Sequence, residues 1–379
     1  MGNMPLYKSV MQKLESQIAN GDWKPGDRLP TETEMEQIFA VSNITLRHAL
    51  KELVVKGLVR RVRGGGSYVN PFPGTVTGED GRNVAGHIIG LLLPNNRSNG
   101  DMMDIVCGVS NICIRYGYLL NVTNYGINGI GESEALEQLA QKSTGVLYYP
   151  MDQRSSFECM YMLGRRHFPL VTLDQTANEL ELPSVVSDNQ DGAYEATRYL
   201  LRKGHKEICF VGTTGGATTI KERFIGFCRA MEEGGYQVES RHYSTIGDTG
   251  GKTTDEEHDQ IIRRLIQRPR PVTAVLAVND YVAYELMRAA QRCHVEVPAE
   301  LSIVGFDNLP FIEQMRLPLT TVSQDLYTIG ERAAMLLIDR LEGRAALSLT
   351  VPVKLVKRAS VCALGSGEAG TRDKGFDAS

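Results

Sequence analysis

The sequence predicts an α/β core of two lobes, each a parallel sheet covered by helices, behind a small N-terminal unit of three helices and a two-stranded wing. Three observations predict it. Residues 274–308, AVLAVNDYVAYELMRAAQRCHVEVPAELSIVGFDN, read as buried strand, amphipathic helix, turn and second buried strand, with polar residues at both strand tips. From residue 88 onwards apolar runs alternate with amphipathic stretches, the pattern of parallel strands covered on both faces. Charge is unevenly shared: residues 1–70 carry 10 Lys+Arg against 7 Asp+Glu and the remainder 31 against 38, although the net charge of all 379 residues is −4. A basic end on an acidic body suits a polyanionic partner at that end.

The head is built first. Tyr7, Val10, Met11, Leu14 and Ile18 recur at helical spacing. Gly21 and the Lys24-Pro25-Gly26-Asp27 turn end that helix. Thr31 and Glu34 stand at capping-box spacing before Met35, Ile38 and Phe39. Ser42 caps a third helix with Leu46, Ala49, Leu50 and Leu53 inward, Asn43, Arg47 and Lys51 outward, and Gly57 at its close. Residues 58–69 then form a hairpin whose Gly64-Gly65-Gly66 tip is bordered by Arg60, Arg61 and Arg63. This is a winged helix-turn-helix. Its third helix fits the major groove, where Arg47 can fork onto guanine and Asn43 and Thr45 can meet bases or phosphates. Gly65 and Gly66 let backbone amides approach phosphates, and Arg61 and Arg63 supply charge.

The head resembles the GntR family of bacterial regulators over about residues 4–70. The matching residues are Tyr7, Leu29-Pro30-Thr31-Glu32, Val41-Ser42, Thr45-Leu46-Arg47, Ala49-Leu50, Leu53, Gly57-Leu58-Val59 and the wing glycines. The resemblance implies a DNA contact set of Thr31, Thr33, Ser42, Asn43, Thr45, Arg47, Lys51, Arg61, Arg63, Gly65 and Gly66. Thr33 and Asn43 stand where family members often carry a basic residue, so Arg47 and the wing carry more of the contact.

Residues 71–84, rich in Pro, Gly and polar side chains, read as a linker, and 363–379 as a disordered tail. Between them, 85–362 reads as one α/β domain of two lobes, expected to hold the ligand-binding and dimerisation functions that the resemblance given below implies. Strands are expected at 88–93, 118–122, 145–149, 170–173, 208–212, 274–278 and 302–305. Helices are expected at 104–116, 132–142, 157–166, 192–202, 221–232, 258–267 and 281–292. Two βαβ lobes flanking a cleft suit this length better than one very wide sheet, and ligands bind beyond the carboxyl ends of such strands. Asp280 reads as the N-cap of helix 281–292.

This part resembles the LacI/GalR family of repressor cores, related to periplasmic sugar-binding proteins. The segments that carry it are Ile89-Gly-Leu-Leu-Leu-Pro94, Gly117-Tyr118, Ser187-Asp188 with Asp191-Gly192-Ala193, and Gly204-His205. Further on come Arg223-Phe-Ile-Gly226-Phe227, Asn279-Asp280, Val297-Pro298, Ser302-Ile-Val-Gly-Phe-Asp307 and Pro318-Leu-Thr-Thr321. The combination of this core with a GntR-type head looks like the AraR subgroup of repressors. The resemblance implies a periplasmic-binding-protein-like core whose ligand contacts are Asp174, Arg223, Asn279, Asp307 and Gln324. Their chemistry suits a sugar, because carboxylates accept from hydroxyl pairs while Arg and amides donate or bridge. Asp101 stands where the family often has an aromatic, which favours hydroxyl bonding over stacking. The lone tryptophan, Trp23, belongs to the head.

Other classes are weighed and set aside. Gly250-Gly251-Lys252-Thr253 lacks the upstream glycine of a phosphate loop, since Ile246 stands there. His258 has no second His or Cys at ligand spacing, so no metal is expected. No nucleophile elbow follows a strand; no cofactor and no catalytic group are expected, and the chain is not read as an enzyme. Seven cysteines without C-x-x-C spacing read as small buried thiols of a reducing compartment. The chain shows no leader and no apolar run of membrane length, so cytoplasmic residence is expected. The expectation is a DNA-binding transcription repressor, acting as a homodimer, whose operator affinity follows a small sugar or sugar derivative. A solute-binding protein, or a regulator with a nucleoside or purine corepressor, is the alternative.

Overall fold

The computed structural model describes residues 6–24, 26–56, 58–62, 66–69, 88–95, 102–126, 131–151, 153–177, 180–214, 217–247 and 254–364. The linker expectation, the tail expectation from residue 365 on, Pro25, Gly57, Arg63, Gly65, Asp101 and the Gly250–Thr253 stretch lie outside these residues. So do the side chains of Arg60 and Arg61.

In the head, α1 (Leu6–Ala19), α2 (Glu32–Phe39) and α3 (Asn43–Val55) precede the wing strands β1 (Val59–Val62) and β2 (Gly66–Val69). Leu14, Met35, Leu46, Leu50 and Leu53 make its core. Both expected caps form. Thr31 and Glu34 cap each other's backbone, and Ser42 accepts from the Thr45 N–H. The chain before α2 also pairs with the wing, through Leu29 N to Ser67 O (2.9 Å) and Val69 N to Asp27 O (2.8 Å).

The rest is two lobes. The first lobe's sheet is wholly parallel, in the order β13-β7-β6-β5-β3-β4. Its elements in chain order are β3 (Ile88–Pro94), α4 (Met102–Tyr116), β4 (Leu119–Tyr125), α5 (Glu132–Gln141), β5 (Gly145–Tyr148), α6 (Gln153–Arg165), β6 (Leu170–Leu173) and β7 (Ser184–Ser187). The second lobe starts with α7 (Asn189–Arg202), β8 (Ile208–Thr213), α8 (Thr218–Glu233), β9 (Tyr243–Ile246) and α9 (Asp255–Ile266). It continues with β10 (Ala274–Ala277), α10 (Asp280–Arg292), β11 (Ser302–Asp307), α11 (Pro310–Glu313) and β12 (Thr320–Ser323). The chain then returns to the first lobe for α12 (Leu326–Leu341) and β13 (Leu349–Val351), and ends in the second with β14 (Lys354–Val356). That second sheet runs β14-β12-β11-β10-β8-β9, parallel except for β14.

Three segments therefore cross between lobes: β7 to α7, β12 to α12, and β13 to β14. In the first lobe α4 and α12 pack closely because both carry glycine at the crossing. A Cβ on Gly108 would lie 2.2 Å from the Tyr327 carbonyl oxygen, and one on Gly330 2.4 Å from that of Ile105. Separate apolar cores fill the second lobe and the two faces of the first sheet.

The expected buried thiols are corrected. Cys113 and Cys209 are buried, Cys107 is exposed and the other four are intermediate; all are free.

Candidate functional site

The cleft lies beyond the carboxyl ends of both sheets. From the first lobe, Asp174 follows β6 with a left-handed backbone (φ 59°) and is 4% exposed. Its Oδ2 accepts a 2.7 Å bond from the Tyr149 hydroxyl at the tip of β5. Its Oδ1 is buried without a partner. Burial, and then the Asp174 carboxylate, hold the Tyr149 phenol protonated well above its usual range; the charges of Asp307 and Arg223 also reach it. Tyr149 thus marks where the two lobes face each other.

From the second lobe, α8 presents Arg223. Its Nε donates to Asn189 Oδ1 (2.8 Å), its Nη1 donates to the Val278 carbonyl (2.6 Å), and Nη1 stands 3.3 Å from Asp307 Oδ1. The guanidinium lies 3.7 Å from the centroid of the Phe306 ring. Asp307 Oδ1 also accepts from Gln324 Nε2 at 2.8 Å, which leaves Gln324 Oε1 buried and unpartnered. Glu222, beside Arg223 on α8, accepts from Asn189 (3.1 Å). Burial pushes its carboxyl up, and the neighbouring Asp174 and Asp188 charges act the same way. Asp174, Arg223, Asp307 and Gln324 are thus brought to one place between the lobes.

The expected cap is corrected: Asn279, not Asp280, caps α10. Its Oδ1 accepts from Val282 N at 2.9 Å. Asp280 is fully buried beneath the site. It accepts from the Thr321 hydroxyl (2.5 Å) and Leu309 N (2.8 Å), and so clamps the turn that carries Asp307. Its Oδ1 lies 2.1 Å from where a Cβ on Gly305 would stand, which accounts for the glycine in that strand. Burial raises the Asp280 carboxyl to about 7. Asp307 (φ 117°) and Asn308 (φ 62°) hold left-handed backbones in that turn, a strain of the kind that collects at ligand sites.

The lobes also touch through Gln175, 3% exposed. The N-cap of α8 is Ala217, which has no side-chain acceptor. Gln175 Oε1 instead accepts from Thr218 N across the cleft (3.4 Å), while Thr176 N donates to Thr218 Oγ1 (3.3 Å).

On the head, α3 places Asn43 and Arg47 outward, with Lys51 exposed one turn on. The acidic α2 holds two of them: Arg47 Nε donates to Glu32 (2.8 Å), and the Asn43 amide bonds Glu36. Thr45 and Ser42 share a 3.0 Å hydroxyl contact in the capping turn. Thr33 is exposed, and Thr31 is occupied as a cap. Two residues of this surface were not in the sequence reading. Arg28 lies against Gly66 of the wing, its guanidinium 3.4 Å from that residue's would-be Cβ. Ile44, 82% exposed, sits between Asn43 and Thr45.

Comparison with known proteins fits both halves. Residues 6–69 match the family described as bacterial regulatory proteins, gntR family, and residues 197–361 match the periplasmic binding protein-like domain. The arabinose metabolism transcriptional repressor of Geobacillus stearothermophilus is 28% identical over 351 residues, covering 90% of this chain and 93% of the relative. The transcriptional repressor CytR of Escherichia coli K12 is 29% identical over 264 residues, 69% and 75% of the two chains. The chain is a transcription regulator. It joins a GntR-type DNA-binding head to a periplasmic-binding-protein-like core. Among solved structures, a LacI family regulator from Enterococcus faecium with bound ribose superposes with a TM-score of 0.62 at 25% identity, covering 73% of this chain and 100% of that one. The CelR–cellobiose complex gives 0.64 at 23%, covering 84% and 91%, and shares the fold. These relatives bear out a regulator rather than an enzyme.

In the regulator, Asn189 and Tyr149 complete the cleft and were absent from the sequence reading. Asn189 lies in the first turn of α7, where apolar periodicity is silent, and Tyr149 reads as the end of an apolar run. His258 gains company that linear spacing did not show: its ring and the carboxylates of Asp255 and Glu285 bring ligand atoms within 4.8 Å. Arg288 and Arg292 already pair with those carboxylates. Among the described residues no helix is long and apolar enough to cross a membrane.

Proposed function

We propose that this regulator is a cytoplasmic, homodimeric repressor whose grip on operator DNA is relieved by a small sugar or sugar derivative bound between its lobes. The supporting observation is the cleft itself: Arg223, Asp307 and Gln324 from one lobe face Asp174 and Tyr149 from the other, with two acceptor atoms left open. The sugar names of its relatives point the same way. A nucleoside or purine, whose hydroxyl and amino groups also donate to open acceptors, is the second reading.

The DNA contacts are assigned to Thr31, Thr33, Ser42, Asn43, Thr45, Arg47 and Lys51, with Arg61, Arg63, Gly65 and Gly66 in the wing. Ile44 suits a thymine methyl. Two heads of a dimer would place recognition helices ~34–36 Å apart on successive major grooves. The dimer surface is assigned to the outward stripe of α4 and the free edge of β4, where Met103, Ile114, Leu119 and Val122 are exposed. Domains are assigned as 1–70, linker 71–84, core 85–362 and tail 363–379. Limited proteolysis that yields a folded core cut between Val69 and Ile88 supports that division.

The deciding experiment titrates salt and then sugars against the protein bound to labelled operator fragments selected from genomic DNA. Affinity should fall steeply with salt and a sugar should release the fragment. Tight binding insensitive to every sugar and nucleoside overturns the effector role. No DNA binding at all overturns the whole reading.

A further inference from the structure

The stretch from Arg28 to Glu32 spans the head between its wing and α3. At one end, Leu29 N donates to Ser67 O (2.9 Å) and Val69 N donates to Asp27 O (2.8 Å), so the chain lies alongside β2 with Arg28 opposite Tyr68. At the other end, Glu32 accepts from Arg47 Nε (2.8 Å) on the outward side of α3. Side chains alternate along such a ladder, and directly opposite residues share a face. Leu29, Ser67 and Val69 are buried on the inner face. Arg28 and Gly66 are exposed on the outer one. There the guanidinium lies over Gly66, its Nε 3.4 Å and its Nη2 3.5 Å from the Cβ that residue lacks.

Arg28 is placed to meet an anion without first giving up a partner. Arg47 has to leave Glu32, whereas among the described residues no carboxylate forms an ion pair with Arg28. Glu34 feels its charge, but the Glu34 carboxylate is already held by the Thr31 N–H (2.7 Å) and hydroxyl (2.8 Å). An open groove lined by Arg28, Pro30, Thr31, Gln37 and Ile38 lies beside it. A helix fills the width of the major groove. With α3 there and the wing on the same duplex, the sugar-phosphate ridge bordering that groove has to pass between them, across the Arg28–Glu32 stretch. Glu32 and Glu34 repel phosphate over the α2 end of that surface, which leaves Arg28 to attract it at the wing end.

We infer that Arg28 is a phosphate contact of the head, seating the DNA backbone between α3 and the wing. The inference rests on the reading of α3 and the wing as the DNA-facing surface. A contact of this kind carries no sequence information; it fixes the position from which Arg47 reaches the bases.

Salt titrations of the full-length protein test this, on operator fragments selected from genomic DNA and on a random duplex of the same length. Arg28→Ala should weaken binding to both duplexes by about ten-fold. It should also lower the slope of log affinity against log salt by about 0.9 for each head engaged. Arg28→Lys keeps the charge and should keep the slope, which separates the contact from any effect of the alanine on folding. Ethylation of single operator phosphates adds a direct readout: one phosphate that matters to the parent should no longer matter to Arg28→Ala. An unchanged affinity and slope overturn the inference. So does a loss confined to the operator, which would make Arg28 a reader of bases. If Arg47→Ala abolishes the preference for operator while Arg28→Ala changes nothing, the DNA-facing surface stands and Arg28 alone is removed from it. If the parent binds neither duplex, both readings fall.

Discussion

Two neighbouring residues, Asn279 and Asp280, show how chemistry read from residue type can be right about a place and wrong about an assignment. A polar pair at a strand tip marks the cleft, and the cleft is there. Which of the two caps α10 and which is buried depends on Gly305 and Thr321, which come from other strands. Asp280 binds its proton more tightly in the folded protein than in the unfolded chain, since burial raises its carboxyl from 3.8 to about 7. Its contribution to stability is therefore largest below the unfolded value and declines as pH rises towards 7, by on the order of a few kcal/mol. Asp280→Asn, which does not ionise, should be less stable than the parent near pH 4, and that gap should narrow by pH 7.5 in thermal melts. A gap constant with pH would remove the carboxyl from this account. On the head, Arg47 was legible as an outward residue of α3, but its pairing with Glu32 was not, because the partners stand in different helices. DNA binding must exchange that exposed ion pair for phosphate or base contacts. Glu32→Gln should therefore raise operator affinity by a few-fold at low salt, an exposed pair being worth ~0.2–1 kcal/mol. Arg47→Ala should lower it and leave sugar binding intact. Fluorescence anisotropy reads both.

Helix starts are the systematic difference at the level of elements. Periodicity places α7 at 192, α8 at 221 and α9 at 258, whereas they begin at Asn189, Thr218 and Asp255. The first turn is polar in each. It holds caps and residues that favour the positive end of the helix, such as Asp191 and Asp255-Glu256-Glu257. Those silent turns matter here, because Asn189 and Thr218 both act at the cleft. The strands left out, β7, β12 and β13 among them, are rich in hydroxyls. Thr320 and Thr321 are fully buried, yet the first accepts from Arg358 N and the second donates to Asp280. An apolar-run test passes over a strand whose polar side chains find buried partners. Gln175 acts at this scale too, capping α8 from the opposite lobe. Opening the cleft uncaps the helix that carries Arg223. Gln175→Ala should therefore disfavour closure and raise the sugar concentration for half-maximal operator release by on the order of ten-fold. Operator affinity without sugar should change little. An unshifted midpoint would show that the bond across the cleft has no share in closure.

Across the whole molecule, three crossings join the lobes, at β7–α7, β12–α12 and β13–β14, and the ligand-facing residues lie on or beside them. Asn189 follows the first crossing and Gln324 stands in the second. Closure about these strands moves one lobe, and with it the α4 and β4 surface assigned to the dimer. Coupling of ~1–3 kcal/mol between such sites suffices for derepression. Small-angle scattering of the free and sugar-bound core should show a smaller radius of gyration with sugar. An unchanged radius while operator is released would rule out hinge closure as the signal. The sequence alone determined the class of each half: spacing, caps and glycines specify a winged head, and alternating apolar runs specify covered parallel sheets. These are local patterns, set by periods of two and 3.6 residues. Tertiary structure alone decided the wiring of the cleft. It decided that α12 returns to the first lobe, that Glu32 masks Arg47, that Asp280 lies beneath the site and that Gln175 reaches across it. The reason is physical. A hydrogen bond or ion pair depends on atoms a few ångströms apart, and residues 15 to 43 positions apart in the chain come that close only through packing.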